Sequence, residues 1–314
     1  MSILVCGSMA FDTIMVFPEP FKNHILPDKI HSLNVCFQVP EIRREFGGTA
    51  GNIAYNLKLL GESSLPMATV GQDFGPYTQW MVQQKIPRTY IKEIAGAYTA
   101  QAFITTDVDD NQITAFHPGA MDNAHEQKVP QAEGITLGIV SPDGREAMLQ
   151  HAEQFHAAGI PFVFDPGQGM PLFSGEELKH FIELADWVAV NDYESQMLEN
   201  KTGLTAYQIA ERVKALVVTW GSKGSVIYSQ SRRVDIETVK AEAVVDPTGC
   251  GDAFRAGLLY GLMHGLDWQT TGQIASLMGS IKISHRGTQN HSFTREAFAE
   301  RYEKAFGTTL SELS

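Results

Sequence analysis

Short apolar, β-branched runs in this chain each stop at a cluster of Gly, Pro, Ser, Asn or Asp, as the strands of a mainly parallel sheet do. The runs are Ile3–Cys6 before Gly7-Ser8, Leu137–Val140 before Ser141-Pro142-Asp143-Gly144, Phe162–Phe164 before Asp165-Pro166-Gly167, Trp187–Val190 before Asn191-Asp192, and Leu216–Val218 before Thr219-Trp220-Gly221. This is a βαβ rhythm and predicts an α/β fold. Open sheets of that kind bind ligands outside the carboxyl ends of their strands, so the polar clusters form a candidate site. Turn chemistry explains each cluster singly. Periodicity therefore gives a location and no activity.

Two segments break the rhythm. The first, roughly 17–46, carries Pro18, Pro20, Pro27 and Pro40 around an alternation of Leu33, Val35, Phe37 and Val39, which predicts a lone strand in a long excursion. In the second, Tyr98–Thr106 and Gln112–Phe116 flank Asp109-Asp110-Asn111, a sequence suited to a hairpin. Together they predict a small sheet outside the main one, because excursions this long are usually lids or binding elements. A single domain over 1–314, with lid segments near 17–46 and 98–117, is the simplest account. An exposed face of the lid could pair two chains as a homodimer.

Charge narrows the partners. Lys plus Arg number 24 and Asp plus Glu 36, a formal charge of −12, which disfavours nucleic acid. Any phosphate must then be held locally, by backbone N–H groups, a metal ion or a few placed cations. No stretch approaches the length of a membrane span and the start Met1–Cys6 has no leader pattern, so the expectation is a cytoplasmic protein. Cys6, Cys36 and Cys250 are far apart and form no C-x-x-C pair, and no H-E-x-x-H occurs among the histidines.

Phe46-Gly47-Gly48-Thr49-Ala50-Gly51-Asn52 leads into a helix whose Ala50, Ile53, Ala54, Leu57 and Leu60 follow helical spacing, closed by Gly61. A Gly-Gly pair lets backbone approach a ligand, and the Asn52 amide in the first turn could both donate to and accept from a polyol. A tight helix entry with a terminal polar residue accounts for the segment equally well. It is neither the G-x-G-x-x-G of dinucleotide sites nor a P-loop, and Gly221-Ser222-Lys223-Gly224 is not one either.

Val245-Asp246-Pro247-Thr248-Gly249-Cys250-Gly251-Asp252-Ala253-Phe254-Arg255-Ala256-Gly257 says more. From Ala253 to Met263 the residues are apolar or Gly on nearly every face apart from Arg255, which predicts a buried helix ending near Gly265. Gly249, Cys250 and Gly251 would present backbone N–H groups at its amino end, an anion site reinforced by the helix dipole. Asp252 there could be an ordinary cap, but a cap requires neither the preceding glycines nor a second Asp six residues upstream. A carboxylate beside an anion cradle can accept the proton of a hydroxyl that attacks a phosphoryl group.

Taken in this order, Gly47–Asn52 and Asp246–Asp252 resemble the two signatures of the ribokinase-like (PfkB) carbohydrate kinase family, with Gly7 through Asp12, Asn191–Glu194 and Thr219–Gly224 matching further family positions. The resemblance implies a three-layer α/β sandwich with a mainly parallel central sheet and a small β-sheet lid. It implies Asp252 as catalytic base, with the amides of Gly249, Cys250 and Gly251 as anion hole. Cys250 replaces the usual Ala; its backbone N–H survives, and the helix terminus could lower its thiol pKa. The resemblance further implies Asp12, Gly47, Gly48 and Asn52 on the sugar hydroxyls, and Asn191, Thr219, Gly221 and Gly224 at ATP. Glu194 would hold Mg²⁺ through water, and Asp246, Thr248 and the loop at Gly287 would hold a K⁺ ion, although Asn290-His291 departs from the common pattern. Asp165 could face Mg²⁺ through water or simply form a turn.

The acceptor follows from the lid. A nucleoside needs an apolar, aromatic slot for its base, and Phe37, Phe103 and Phe116 with Gln101 could supply one; packing of the lid is the blander account. Asp252–Gly257 and the excursion from His24-Ile25-Leu26-Pro27-Asp28 to Phe46 are similar to the adenosine-kinase and bacterial nucleoside-kinase branch. The expectation is therefore an ATP-dependent kinase of the 5′-hydroxyl of a purine-type nucleoside. A simple ribokinase- or fructokinase-type sugar kinase, and a catalytically silent ligand-binding protein, are the alternatives.

Overall fold

Alternation within the apolar runs decides which layer each side chain joins: Ile3 and Val5 pack on one face of the sheet, Leu4 and Cys6 on the other. The structure, a computed structural model, describes residues 1–25, 34–109, 111–131, 134–229 and 232–310. Its strands are β1 (Ser2–Cys6), β2 (Ala10–Val16), β3 (Glu41–Gly47), β4 (Ser64–Val70), β5 (Tyr90–Glu93), β6 (Ala100–Thr106), β7 (Gln112–His117), β8 (Ile135–Val140), β9 (Phe162–Phe164), β10 (Trp187–Asn191), β11 (Ala215–Thr219), β12 (Ser225–Ser229) and β13 (Arg232–Ile236). The helices are α1 (Thr49–Leu59), α2 (Gly75–Gln84), α3 (Arg145–Ala158), α4 (Gly175–Leu184), α5 (Asp192–Thr202), α6 (Ala206–Ala210), α7 (Cys250–Met263), α8 (Trp268–Ile283) and α9 (Arg295–Phe306).

Among the described residues the main sheet runs β13-β12-β11-β10-β9-β8-β1-β4-β5, parallel from β11 to β5, with β12 and β13 antiparallel at one edge. Helices α1, α2, α7 and α8 cover the Ile3 face and α3 to α6 the Leu4 face, which makes three layers. The chain order reverses direction between β1 and β8, the crevice where such sheets take ligands. A second sheet, β3-β2-β6-β7, stands apart from the first.

The predicted strand at Leu33–Val39 is a correction. Leu33 lies outside the described residues; Val35, Phe37 and Val39 do alternate in exposure, but 34–39 is not a strand. Phe37 instead packs its ring 4.8 Å from Phe17 and 4.9 Å from Phe21, so local aromatic burial produces the alternation. The sheet strand forms after Pro40, at β3. The predicted hairpin is present as β6 and β7, paired from Gln101–His117 to Thr106–Gln112, while Asp110 in its turn lies outside the described residues. So do Leu26, Pro27 and Asp28 of the excursion that carries the branch resemblance.

Candidate active site

Tight corners set the site. Gly48, before α1, has φ +84°, and a Cβ there would fall 2.5 Å from the Ser8 carbonyl oxygen and 2.6 Å from the Ala10 nitrogen. Only glycine lets the end of β1 seat directly on the start of α1, where the Ala50 N–H donates to the Ser8 carbonyl at 3.0 Å. This aims Asn52, in the first turn of α1 and 4% exposed, across the sheet. Opposite it, Gly249 opens α7 with φ +78° and puts Asp252 in the first turn. Asn52 Nδ2 donates to Asp252 Oδ2 at 2.7 Å, joining two motifs 200 residues apart.

Asp252 is half-buried at the mouth. Burial pushes its carboxyl up to about 7; the Asn52 hydrogen bond opposes this, Asp165 and Asp12 add to it, and Arg255 opposes it. Asp12 on β2 is likewise pushed up to about 6, by burial first and then by Asp246 and Glu45. A Cβ on Gly47 would lie 2.6 Å from Asp12 Oδ2, so that glycine leaves room for the carboxylate. A Cβ on Gly251 would meet no protein atom within 4 Å, which leaves the mouth open beside Asp252.

Cys250 departs from expectation in two ways. Its N–H donates to the Pro247 carbonyl at 3.1 Å, so of the three expected amides this one is committed to the turn. Its thiol is pushed up, to about 11, because burial and the neighbouring Asp246 and Asp252 carboxylates outweigh the nearby Lys282. The expected lowering by the helix end does not occur.

Behind the mouth, Arg255 is 4% exposed and donates from Nε and Nη2 to Asp165 Oδ2 and Oδ1 at 3.2 and 3.1 Å, with Glu194 Oε2 3.9 Å from Nη2. Asp165 is therefore engaged by a guanidinium, a partner that neither the Mg²⁺ reading nor the turn reading names. Asn191 and Glu194 form a reciprocal cap at the start of α5: Asn191 Oδ1 accepts the Glu194 N–H at 2.7 Å and Glu194 Oε2 accepts the Asn191 N–H at 2.8 Å. Asn191 lies beside Thr219 across β10 and β11, and Gly221 and Gly224 follow in the next turn with φ +55° and +91°. Among the described residues no cluster of three or more His, Cys, Asp or Glu could hold a metal ion by itself. Mg²⁺ usually keeps water and binds through substrate phosphates with one or two carboxylates, which Glu194 fits.

At the expected K⁺ position the donors are already protein. Asp246 Oδ1 accepts the Thr248 N–H and Oδ2 the Gly287 N–H, both at 2.9 Å. Burial raises the Asp246 carboxyl, but these amides outweigh it and hold the group below its ordinary range. Lys282, fully buried, donates from Nζ to the Asp246 carbonyl at 2.7 Å and to the His285 carbonyl at 3.2 Å.

Register sorts the small sheet into two faces. Asp12 is paired with Glu45 and Ala102, and Ala102 with Phe116, so these share one face. Gln101 and Phe103 are on the opposite face, and Gln101 Nε2 donates to Asp73 Oδ2 at 3.1 Å. The single slot of Phe103, Phe116 and Gln101 is corrected by strand alternation: only Phe116, 53% exposed, is on the face of Asp12. Tyr77, Trp80, Gln289 and Lys282 are absent from the sequence reading. In a sequence, Tyr77 and Trp80 look like ordinary core of an amphipathic α2, and nothing marks Gln289.

The model of the pfkB family carbohydrate kinases matches residues 9–295. The chain is similar to the nucleoside kinase of Methanocaldococcus jannaschii, at 34% identity over 96% of this chain and 97% of that protein. It is also similar to the nucleoside kinase of Burkholderia thailandensis in complex with inosine, at 50% identity and a TM-score of 0.90 over 98% of this chain and 99% of that one. The complex of that kinase with ADP-inosine gives 52% identity and a TM-score of 0.87 over 98% and 97%.

Proposed function

We propose that this chain, which belongs to the pfkB family of carbohydrate kinases, moves the γ-phosphoryl group of ATP to the 5′-hydroxyl of a purine nucleoside, with Asp252 as the base. It is an ATP-dependent nucleoside kinase of ribokinase-like fold. The observation that carries the mechanism is the 2.7 Å bond from Asn52 to Asp252, which brings both glycine motifs to one mouth. Asp252 takes the proton as the hydroxyl attacks, and Asp12 and the second N–H of Asn52 Nδ2 hold the sugar hydroxyls above Gly47 and Gly48. The amides of Gly249 and Gly251 and the dipole of α7 stabilise charge on the transferring oxygens.

Asn191, Thr219, Gly221 and Gly224, at the carboxyl ends of β10 and β11, form the ATP side. Mg²⁺, held through water by Glu194, would neutralise charge on the phosphates. The small sheet acts as the lid that excludes water. Its outer face, with Ile42, Phe103 and Ile113 exposed, is where two chains would pair. Free cysteines and a need for ATP fit the cytoplasm; no helix among the described residues is long and apolar enough to cross a membrane.

Phe116 supplies the base slot, with inosine, bound by the Burkholderia relative, as the model acceptor. Phe116→Ala should raise the inosine KM about tenfold, the value of one base–aromatic stack, while Phe103→Ala leaves it within twofold. Steady-state kinetics with inosine and ribose check this; equal effects of the two variants would remove Phe116 from the acceptor site.

Lys282 supplies the positive charge expected of K⁺. Replacing K⁺ by Na⁺ or tetramethylammonium at constant ionic strength should change kcat by less than about twofold, because a tethered ammonium already engages the Asp246 carbonyl. A coupled ADP assay reads this directly, and strong K⁺ activation would return Asp246, Thr248 and Gly287 to the role of ion ligands.

A further inference from the structure

Trp80 on α2 begins a line of hydrogen bonds, buried at its centre, that ends on Asp252. Its indole N–H can only donate, and it donates to Gln289 Oε1 at 2.8 Å. With that oxygen turned to the indole, Gln289 presents Nε2 on its other side, donating to Asn52 Oδ1 at 3.0 Å and to the Tyr77 hydroxyl at 2.6 Å. Tyr77 gives its own proton to the Gly47 carbonyl at 2.9 Å. Asn52, its oxygen taken by Gln289, turns Nδ2 to Asp252.

An amide can turn over, oxygen for nitrogen, with no change of shape, so shape alone fixes neither Gln289 nor Asn52. A donor-only group at one end does fix them. Gln289 and Asn52 are 2% and 4% exposed, so no bulk water relieves a reversed link, which would set oxygen against oxygen or N–H against N–H.

We propose that Trp80 and Gln289 are positioning residues for phosphoryl transfer: the indole sets the direction of the Gln289 amide, Gln289 sets that of Asn52, and Asn52 thereby offers Asp252 a donor and never a competing oxygen. The inference rests on the reading of Asp252 as base. Trp80 is suited to a test because its ring stacks 5.6 Å from Phe46 and 6.0 Å from Tyr55, so Trp80→Phe keeps an aromatic ring there and removes the N–H. The charged and titratable groups facing Asp252 stay in place in that variant: Asp12 on β2, Asp165 after β9, Cys250 and Arg255 on α7, Tyr77 on α2 and Lys282 on α8.

The experiment measures inosine and ATP kinetics across pH for Trp80→Phe, Gln289→Met, the double variant and Asp252→Asn. Each single variant should lose about tenfold in kcat/KM for inosine, the value of one buried hydrogen bond, with the ATP KM unchanged. The acid limb of the profile should move to higher pH, and the double variant should be no worse than Gln289→Met, since both cut one line. An unmoved acid limb with multiplying losses would reduce both residues to packing and overturn the proposal. Wild-type behaviour of Trp80→Phe and Gln289→Met beside an inactive Asp252→Asn would also overturn it while leaving the base reading intact. An active Asp252→Asn would overturn the base reading, and the proposal with it. If Gln289→Met does not fold, Trp80→Phe alone decides through its acid limb.

Discussion

Asp252→Asn should lower kcat about 10³-fold, within the range that a positioned general base contributes, and leave the inosine KM within threefold. The substitution preserves shape and keeps an oxygen to accept from Asn52 Nδ2, so the mouth stays assembled. What it removes is the capacity to take a proton from the attacking hydroxyl. The pH profile provides a second reading of the same residue. A base acts only when deprotonated, and burial raises the Asp252 carboxyl from 3.8 to about 7, so activity should climb through neutral pH and level off above it. In the Asn variant the residual rate should lose that limb. Near-normal turnover, or a wild-type limb persisting in Asp252→Asn, would assign the proton to another group.

The second large effect concerns stability. Arg255→Met should destabilise the fold by about 3–5 kcal/mol, because it leaves the Asp165 carboxylate, with Glu194 nearby, buried without its cation. The guanidinium is bidentate on Asp165, and both side chains are about 5% exposed, so water cannot replace it. Arg255→Met combined with Asp165→Leu should recover most of the loss, since a buried pair exchanged for apolar groups is often neutral. Urea denaturation of the two variants and the parent separates the cases. A single variant within 1 kcal/mol of the parent, an ordinary surface effect, would mean that the pair is solvated in solution.

Much of this was legible in the chain because the governing forces are local. The strand runs end where their turn residues stand, and β9 matches the predicted Phe162–Phe164 in both bounds. The two glycine motifs are legible because positive φ and close backbone approach leave few residue choices, as at Gly48 and Gly249. β4 is not legible because Pro66 interrupts its pattern, nor are β12 and β13, because short antiparallel edge strands lack the long apolar runs of the parallel centre. The faces of the small sheet were beyond the sequence for another reason. Register decides them, and a list of aromatics in two strands does not say that Phe103 and Phe116 look opposite ways.

Long-range partners were the least legible. Asp165 reads as a turn residue until Arg255, ninety positions later, is seen beside it. Cys250 reads as a thiol at a helix terminus until burial and two carboxylates are set against the dipole. Lys282 is the one charged residue of α8, and only the fold brings its ammonium to the Asp246 carbonyl.

The most direct test of the whole account is to identify the product. The purified protein, given ATP and Mg²⁺ with inosine, ribose and fructose together, should yield ADP and inosine 5′-monophosphate in equal amounts, with the ester phosphorus coupled to the 5′-methylene protons by ³¹P NMR. A phosphorylated free sugar as the main product, or ADP without any phosphorylated acceptor, would contradict it.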